Sequence, residues 1–430
     1  MLSTHSHARA AAVFIVAVAS LTLAQSPATR PSTQTVGPIG DGSTVVPTAQ
    51  LVRPAGDTVE CSGRPIDIAL APDASVLYAK DNRGLVVVHA QTLRILQEVA
   101  FAGGGGSMVG IAVSPDGARV YATQSSDGLL EYSVEPDRKL TFKRKITLPG
   151  LDGKGASFPC GVSLSRDGKL AYVCLSRNNM LATIDLSTGK LVSQIETGIA
   201  PFKVALAPDE KTAYVTCWGG RKPLAIEKTA PSAGSPVAID ARGIATTGGV
   251  VAIDLVAGKV THELETGLSA CDLVLSPDAS RLFVANANSD TVTVIDTARF
   301  AIIEQIVVKP EPTLPFGSMP NGLTIDADGK RLFVSCAGNN AVAVVDVFAK
   351  APAIVGWIPT GWYPGPLVRR DESLFVANIK GVGSRNARET DGSFNSHRHR
   401  GSLQRVRIPA GAGAAGAFTA WTAQVRSDAR

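Results

Sequence analysis

The stretch Leu273-Val-Leu-Ser-Pro-Asp-Ala-Ser-Arg-Leu-Phe283 decides the fold. One apolar run enters a Pro-Asp turn and a second leaves it. Pro fixes φ and Asp bonds its own backbone, so the phrase reads as a hairpin. Working outward, residues 273–276 and 281–285 are the hairpin strands, and 291–296 and 301–307 read as two more. All four are short, apolar and bounded by Gly, Pro, Asp or Asn, as strands are. The phrase recurs seven times, with its turn carboxylates at Asp73, Asp116, Asp167, Asp209, Asp278, Asp328 and Asp371. The spacings are 43, 51, 42, 69, 50 and 43 residues. A period of roughly 40–50 residues with several strands per unit is that of a propeller. The expectation is an all-β fold, a seven-bladed β-propeller of four-stranded antiparallel blades. Residues 42–54 are expected to supply a missing outer strand to the last blade and so remove an open edge.

The chain has 430 residues, 45% of them hydrophobic, and 42 glycines. The repeat assigns residues 42–410 to one ring. Net charge is +5, too mild for a nucleic-acid surface as a global property. The excess is concentrated: between Arg369 and Arg407 nine basic residues face four acidic ones. Near the N-terminus, Arg9 precedes a ten-residue apolar run and Thr22-Leu-Ala24. This has the form of a secretory signal peptide over residues 1–24, with a run too short to span a bilayer. The expected protein is periplasmic or secreted, with no membrane span. A disordered leader is expected over residues 25–41, and a linker with a short helix over 411–430.

Six cysteines in an exported chain permit disulfides. Cys160 and Cys174 flank the turn at Asp167, and Cys217 and Cys271 are placed at one rim, so these four are the candidates. The alternative is that all are small buried core residues.

The phrases resemble the YVTN repeats of bacterial seven-bladed propellers, as in Phe283-Val-Ala-Asn286 and Phe375-Val-Ala-Asn378. Three longer stretches narrow the likeness: Ala238-Ile-Asp-Ala-Arg-Gly-Ile-Ala245, Ala285-Asn-Ala-Asn-Ser-Asp-Thr-Val-Thr-Val-Ile-Asp296 and Ile358-Pro-Thr-Gly-Trp-Tyr-Pro364. Together they look like the propeller half of exported bacterial proteins that join such a ring to a phosphoesterase of the alkaline-phosphatase-like superfamily. The sequence ends at Arg430, where that family's catalytic domain begins. The resemblance therefore implies the propeller half without the catalytic residues.

Catalytic signatures are scarce. No G-x-S-x-G elbow, Walker A loop, H-E-x-x-H or C-x-x-C-H occurs. Gly411-Ala-Gly-Ala-Ala-Gly416 matches G-x-G-x-x-G but lacks the following strand and acid, so it reads as linker. His397 and His399 are the weak metal candidates, set among arginines that disfavour a cation. No cofactor is expected. Two insertions break the repeat, at residues 219–248 and 381–401, and both fall between second and third strands. The candidate binding residues lie on that rim: Arg385, Arg388, Arg398 and Arg400 in the second insertion, and Arg64, Lys203, Asp272 and Asn321 beside the first strands. The expected function is an exported, non-catalytic binding or scaffold module. Its basic rim would contact a protein partner such as a phosphoesterase domain, and the chain itself would be a monomer. The alternative is a propeller enzyme of the lactonase type or a cofactor-bearing redox subunit.

Overall fold

The turn aspartates explain why the repeat folds as it does. Asp73, Asp116, Asp167, Asp209, Asp278 and Asp328 each accept the backbone N–H two residues on, at 2.9–3.1 Å. In three blades the serine two residues earlier adds a second clasp. Ser276 Oγ donates to Asp278 at 2.5 Å and accepts the Arg281 N–H at 3.0 Å. Ser114 and Ser165 do the same around Asp116 and Asp167. Each hairpin is thus fixed locally before it packs. In the shortened seventh phrase Asp371 instead takes a left-handed backbone, φ +51°.

The computed structural model describes residues 35–103, 105–106, 108–311, 313, 317–383, 398–410 and 413–429. The expected signal peptide, residues 25–34 of the expected leader, Arg385, Arg388 and His397 lie outside them. Among the described residues there are seven four-stranded antiparallel sheets. Their innermost strands are Asp67–Leu70, Ile111–Val113, Pro159–Leu164, Ile199–Leu206, Ala270–Leu275, Pro320–Ile325 and Trp362–Arg370. Each packs on the next, and Trp362–Arg370 packs on Asp67–Leu70, so the circle closes. In the fifth sheet the strands are Ala270–Leu275, Arg281–Asn286, Thr291–Asp296 and Ala301–Val307, within three residues of the reading from sequence.

The core lies between sheets, as expected where two-faced sheets stack in a ring. Between the fifth and sixth, Phe283, Val292 and Val294 meet Leu332, Val334 and Trp357. Between the first and second, Tyr78 and Val87 meet Val120, Leu130 and Tyr132. Fully burying side chains of this size is worth about 1.5–3 kcal/mol each before entropy is subtracted.

The closing strand differs from expectation. It is Asp57–Glu60, antiparallel to Ser402–Arg407, with Ser402 opposite Glu60 and Arg405 opposite Asp57. Residues 42–54 contain Pro47 and end at Pro54, which have no N–H for a ladder, whereas Asp57–Glu60 is an uninterrupted β run. Gly56 makes the approach feasible. It has φ +71°, and a Cβ there would stand 2.2 Å from the Arg405 carbonyl oxygen. The displaced segment forms its own small sheet from Gly37–Pro38, Thr44–Val45 and Leu51–Val52. The end of the expected disordered leader is therefore an ordered strand.

The C-terminus is also more ordered than a linker. Helix Gly413–Asp428 packs on Ala353–Pro359, the outer strand of the sixth sheet. Phe418 is buried there with Ile358, and Thr422 Oγ1 accepts the Trp357 N–H at 3.0 Å. Arg53 pairs with Asp428, and Gln424 Nε2 donates to the Arg53 carbonyl at 2.7 Å. No helix of the described residues is long and apolar enough to cross a membrane.

Candidate functional site: the insertion-bearing face and channel mouth

Antiparallel pairing puts the second-to-third-strand connections and the starts of the innermost strands at the same end of every sheet. The first insertion and the six described candidates, Arg64, Lys203, Asp272, Asn321, Arg398 and Arg400, belong to that end of their sheets.

Register brings some candidates together deep in the channel. Asp67, Lys203 and Asp272 hold the same position in their strands, immediately before the buried Ile68, Val204 and Leu273. Gly110, Gly161 and Gly322 take that position in the second, third and sixth sheets. Lys203 crosses from the fourth sheet to the first, placing Nζ 3.5 Å from Asp67 Oδ1. Asp67 Oδ2 accepts the Gly110 N–H at 2.7 Å and the Ile111 N–H at 3.2 Å. Asp272 Oδ2 accepts the Leu323 N–H at 2.8 Å. Each carboxylate thereby stitches its own blade to the following one. Burial opposes the Lys203 charge, but Asp67 and Asp272 outweigh it and hold the ammonium above the ordinary lysine value. Burial raises Asp272, and Lys203 offsets part of that rise. Lys80 is completely buried beside this group and donates to Thr123 Oγ1 at 2.8 Å. Burial pulls it down to about 7, with Asp67 opposing. This cluster is a satisfied clasp across the channel. Asn321 is a local brace, accepting the Ser335 hydroxyl at 3.0 Å.

Near the mouth lies a second, different group. Trp362 and Tyr363 begin the innermost strand of the seventh sheet. Lys380, near the end of its second strand, sits 5.1 Å from the Trp362 ring centroid and 4.1 Å from that of Tyr363. His399 lies against the other aromatic neighbour, 5.3 Å from the Trp362 ring centroid. Val46 and Val52 of the small N-terminal sheet buttress Trp362. Tyr363 has φ +61°, a strained left-handed backbone for a bulky residue. Phe158, Ala200, Ser269 and Met319 share that sign of φ at the matching position of their blades. Burial lowers Lys380, and Arg64 lowers it further. His399 is lowered by burial, then by Lys380 and Arg64. Arg64 Nε and His399 Nδ1 are buried without a hydrogen-bond partner among the described residues.

The remaining candidates fall elsewhere. Arg400 is exposed, and its backbone pairs with Val382 and Gly383. Arg398 is half-buried and engaged. For a metal the setting of His399 is wrong, since Lys380 and Arg64 repel a cation; no metal-holding cluster of three His, Cys, Asp or Glu occurs among the described residues. Cys160, Cys174, Cys217 and Cys271 are free thiols, which corrects the disulfide expectation. Cys160, Cys174 and Cys217 share one apolar cluster, but Cys271 lies in another, two blade interfaces away. The Cys271 thiol faces the Ala285 and Pro320 carbonyls at 3.6 and 3.5 Å.

In the first insertion three of the four basic side chains, all but Lys228, are ion-paired. Arg221 is paired with Glu227 and Glu265, Lys222 with Glu196, and Arg242 with Asp240. What it leaves open is apolar: Ile226 is 93% exposed and Leu224 54%, beside Trp218 of the preceding strand at 46%. Sequence reading missed Asp67, Lys80, Trp362, Tyr363 and Lys380. The signal for Asp67 was present, as the charged residue matching Lys203 and Asp272 in the repeat.

No family model matches this chain, and no curated protein matches it. Among solved structures 1667 chains match, so broad a likeness that it marks a fold and not an activity. One of them is Kuenenia stuttgartiensis hydrazine synthase, at 22% identity and a TM-score of 0.59, with 74% of this chain and 93% of that chain covered. At that identity the likeness supports the all-β propeller fold alone.

Proposed function

We propose that this chain is an exported, non-catalytic YVTN-type propeller that binds a protein partner, such as a phosphoesterase domain, through its insertion-bearing face. The propeller fold suits a binding or scaffold module. The observation that carries the reading is the first insertion, where Leu224 and Ile226, with Trp218 of the strand before it, stand in solvent within a frame of ion pairs. Exposed apolar residues rimmed by fixed polar ones mark interaction surfaces. The partner's identity and the exported location rest on the sequence resemblance and the signal-like N-terminus.

Co-expression with an alkaline-phosphatase-like phosphoesterase from the same genome, followed by size-exclusion chromatography, tests it. Co-elution is expected. The double substitution Leu224→Asp, Ile226→Asp should abolish co-elution while leaving the melting temperature unchanged. A chain that elutes alone with every such enzyme overturns the phosphoesterase assignment. The isolated chain is expected to hydrolyse no phosphoester. Fractionation and the N-terminal mass of the mature chain check export.

A further inference from the structure

We propose that Arg64, Lys380 and His399, walled by Trp362 and Tyr363, form a binding site for an oxyanion carried on a flat organic group. The inference goes beyond partner docking, because it concerns a small ligand and does not need the partner.

Three observations converge on it. First, three basic side chains from different parts of the chain meet here: Arg64 before the first blade, Lys380 on the second strand of the seventh, and His399 before its third. The electrostatic neighbours are basic, Arg64 beside Lys380 and both Lys380 and Arg64 beside His399, and no carboxylate is among them in the described residues. The first insertion is the internal control, since Arg221, Lys222 and Arg242 there all have carboxylate partners. Basic groups gathered without a carboxylate among the described residues suit an anion from outside.

Second, two donors are unspent. Arg64 Nε is buried without a partner, and His399 Nδ1 likewise. Leaving such groups unsatisfied is costly, and an oxyanion would supply charge-assisted acceptors to both. Third, the walls are built. Trp362 is held by Val46 and Val52, and Tyr363 keeps its left-handed backbone while its N–H donates to Asn340 Oδ1 at 3.0 Å. The half-buried Tyr363 ring beside a cation cluster, backed by the buried Trp362, suits a ligand with a planar body and an anionic end.

The protonation chemistry gives the site a signature. The groups facing His399 are Lys380 from the seventh blade's second strand, Arg64 from the N-terminal side, and the Trp362 ring. Empty, this setting disfavours the imidazolium. A bound oxyanion favours it, so binding takes up a proton and affinity rises as pH falls through the histidine range.

Titration calorimetry and tryptophan fluorescence on the purified full chain test this with phenyl phosphate, benzoate and inorganic phosphate. Saturable binding of phenyl phosphate or benzoate with a Kd of about 1 mM or tighter is expected, weakened by added salt. Which of the two binds tighter tells a phosphate site from a carboxylate site. Lys380→Met and Arg64→Met should each weaken binding about tenfold or more. Removing one of several mutually repelling charges should leave the empty protein as stable as the parent or more so. His399→Gln should flatten the rise in benzoate affinity between pH 8 and pH 6, a readout a merely structural histidine would not move. No saturable binding by the parent at ~10 mM of each probe, or equal binding by the parent and both charge variants, overturns the site. Loss of partner co-elution by Leu224→Asp, Ile226→Asp does not bear on it, so the two proposals fail separately.

Discussion

At the residue scale, the charged positions of the channel are structural ties. Asp67 receives Lys203 from across the ring and two backbone N–H groups from the next blade. Asp67→Ala strips all three and leaves Lys203 with Asp272 as its remaining carboxylate. Breaking a buried pair from one side is expected to cost about 3–5 kcal/mol, read by urea denaturation. Asp67→Asn, which keeps an acceptor for the N–H groups, should cost clearly less. Lys80 offers a pH test. Burial lowers it to about 7 in the folded chain, against ~10.4 unfolded. Between those values the unfolded state binds the extra proton, so this group makes stability rise with pH. Denaturation at pH 7 and pH 9.5 should show that rise in the parent, diminished in Lys80→Met. The charges of this level were readable at Lys203 and Asp272, because the repeat displays them where other blades have glycine. The pairing of Lys203 with Asp67 was not, since it joins blades three apart in the ring, and no local pattern reports which side chain crosses a channel.

At the element scale, the hairpins were legible because their causes are local: a turn carboxylate and its own backbone, often a serine beside it. The joints between chain ends were less legible because they depend on distant pairing. Residues 42–54 were expected to close the ring, and the edge of Ser402–Arg407 instead takes the proline-free Asp57–Glu60. Truncation separates their roles. Removing residues 1–54 discards the small sheet and the Arg53–Asp428 pair but keeps the closing strand. Removing residues 1–61 discards the closing strand too. The first variant should remain a folded monomer with a lowered melting temperature. The second should aggregate or lose its cooperative transition, because it exposes the edge of Ser402–Arg407. Equal melting temperatures would show that Asp57–Glu60 does not hold the ring.

At the scale of the whole molecule, the ring keeps its reactive groups inside. All six cysteines are free and buried. Burial pushes the Cys160, Cys217 and Cys271 thiols up to about 12, and Cys61, Cys174 and Cys336 are raised in the same sense. Thiolates are the reactive form, so the native protein should be inert to a thiol reagent even after exposure to an oxidising compartment. Denaturation without reductant should then release all six thiols. Fewer would mean that disulfides form. The count of cysteines allowed either outcome; burial between blades decides it.

The closing strand also fixes the order of events in making the protein. Asp57 and Arg405 face each other across a sequence separation of 348 residues. Bringing such distant segments together is slow compared with local hairpin formation. A chain emerging N-terminus first presents Asp57–Glu60 early, and that strand must wait without its mate until nearly every blade has been delivered. During this interval its backbone edge is open to neighbouring chains. The ring is therefore born open, and the last blade to arrive finishes it with a piece of chain that was among the first.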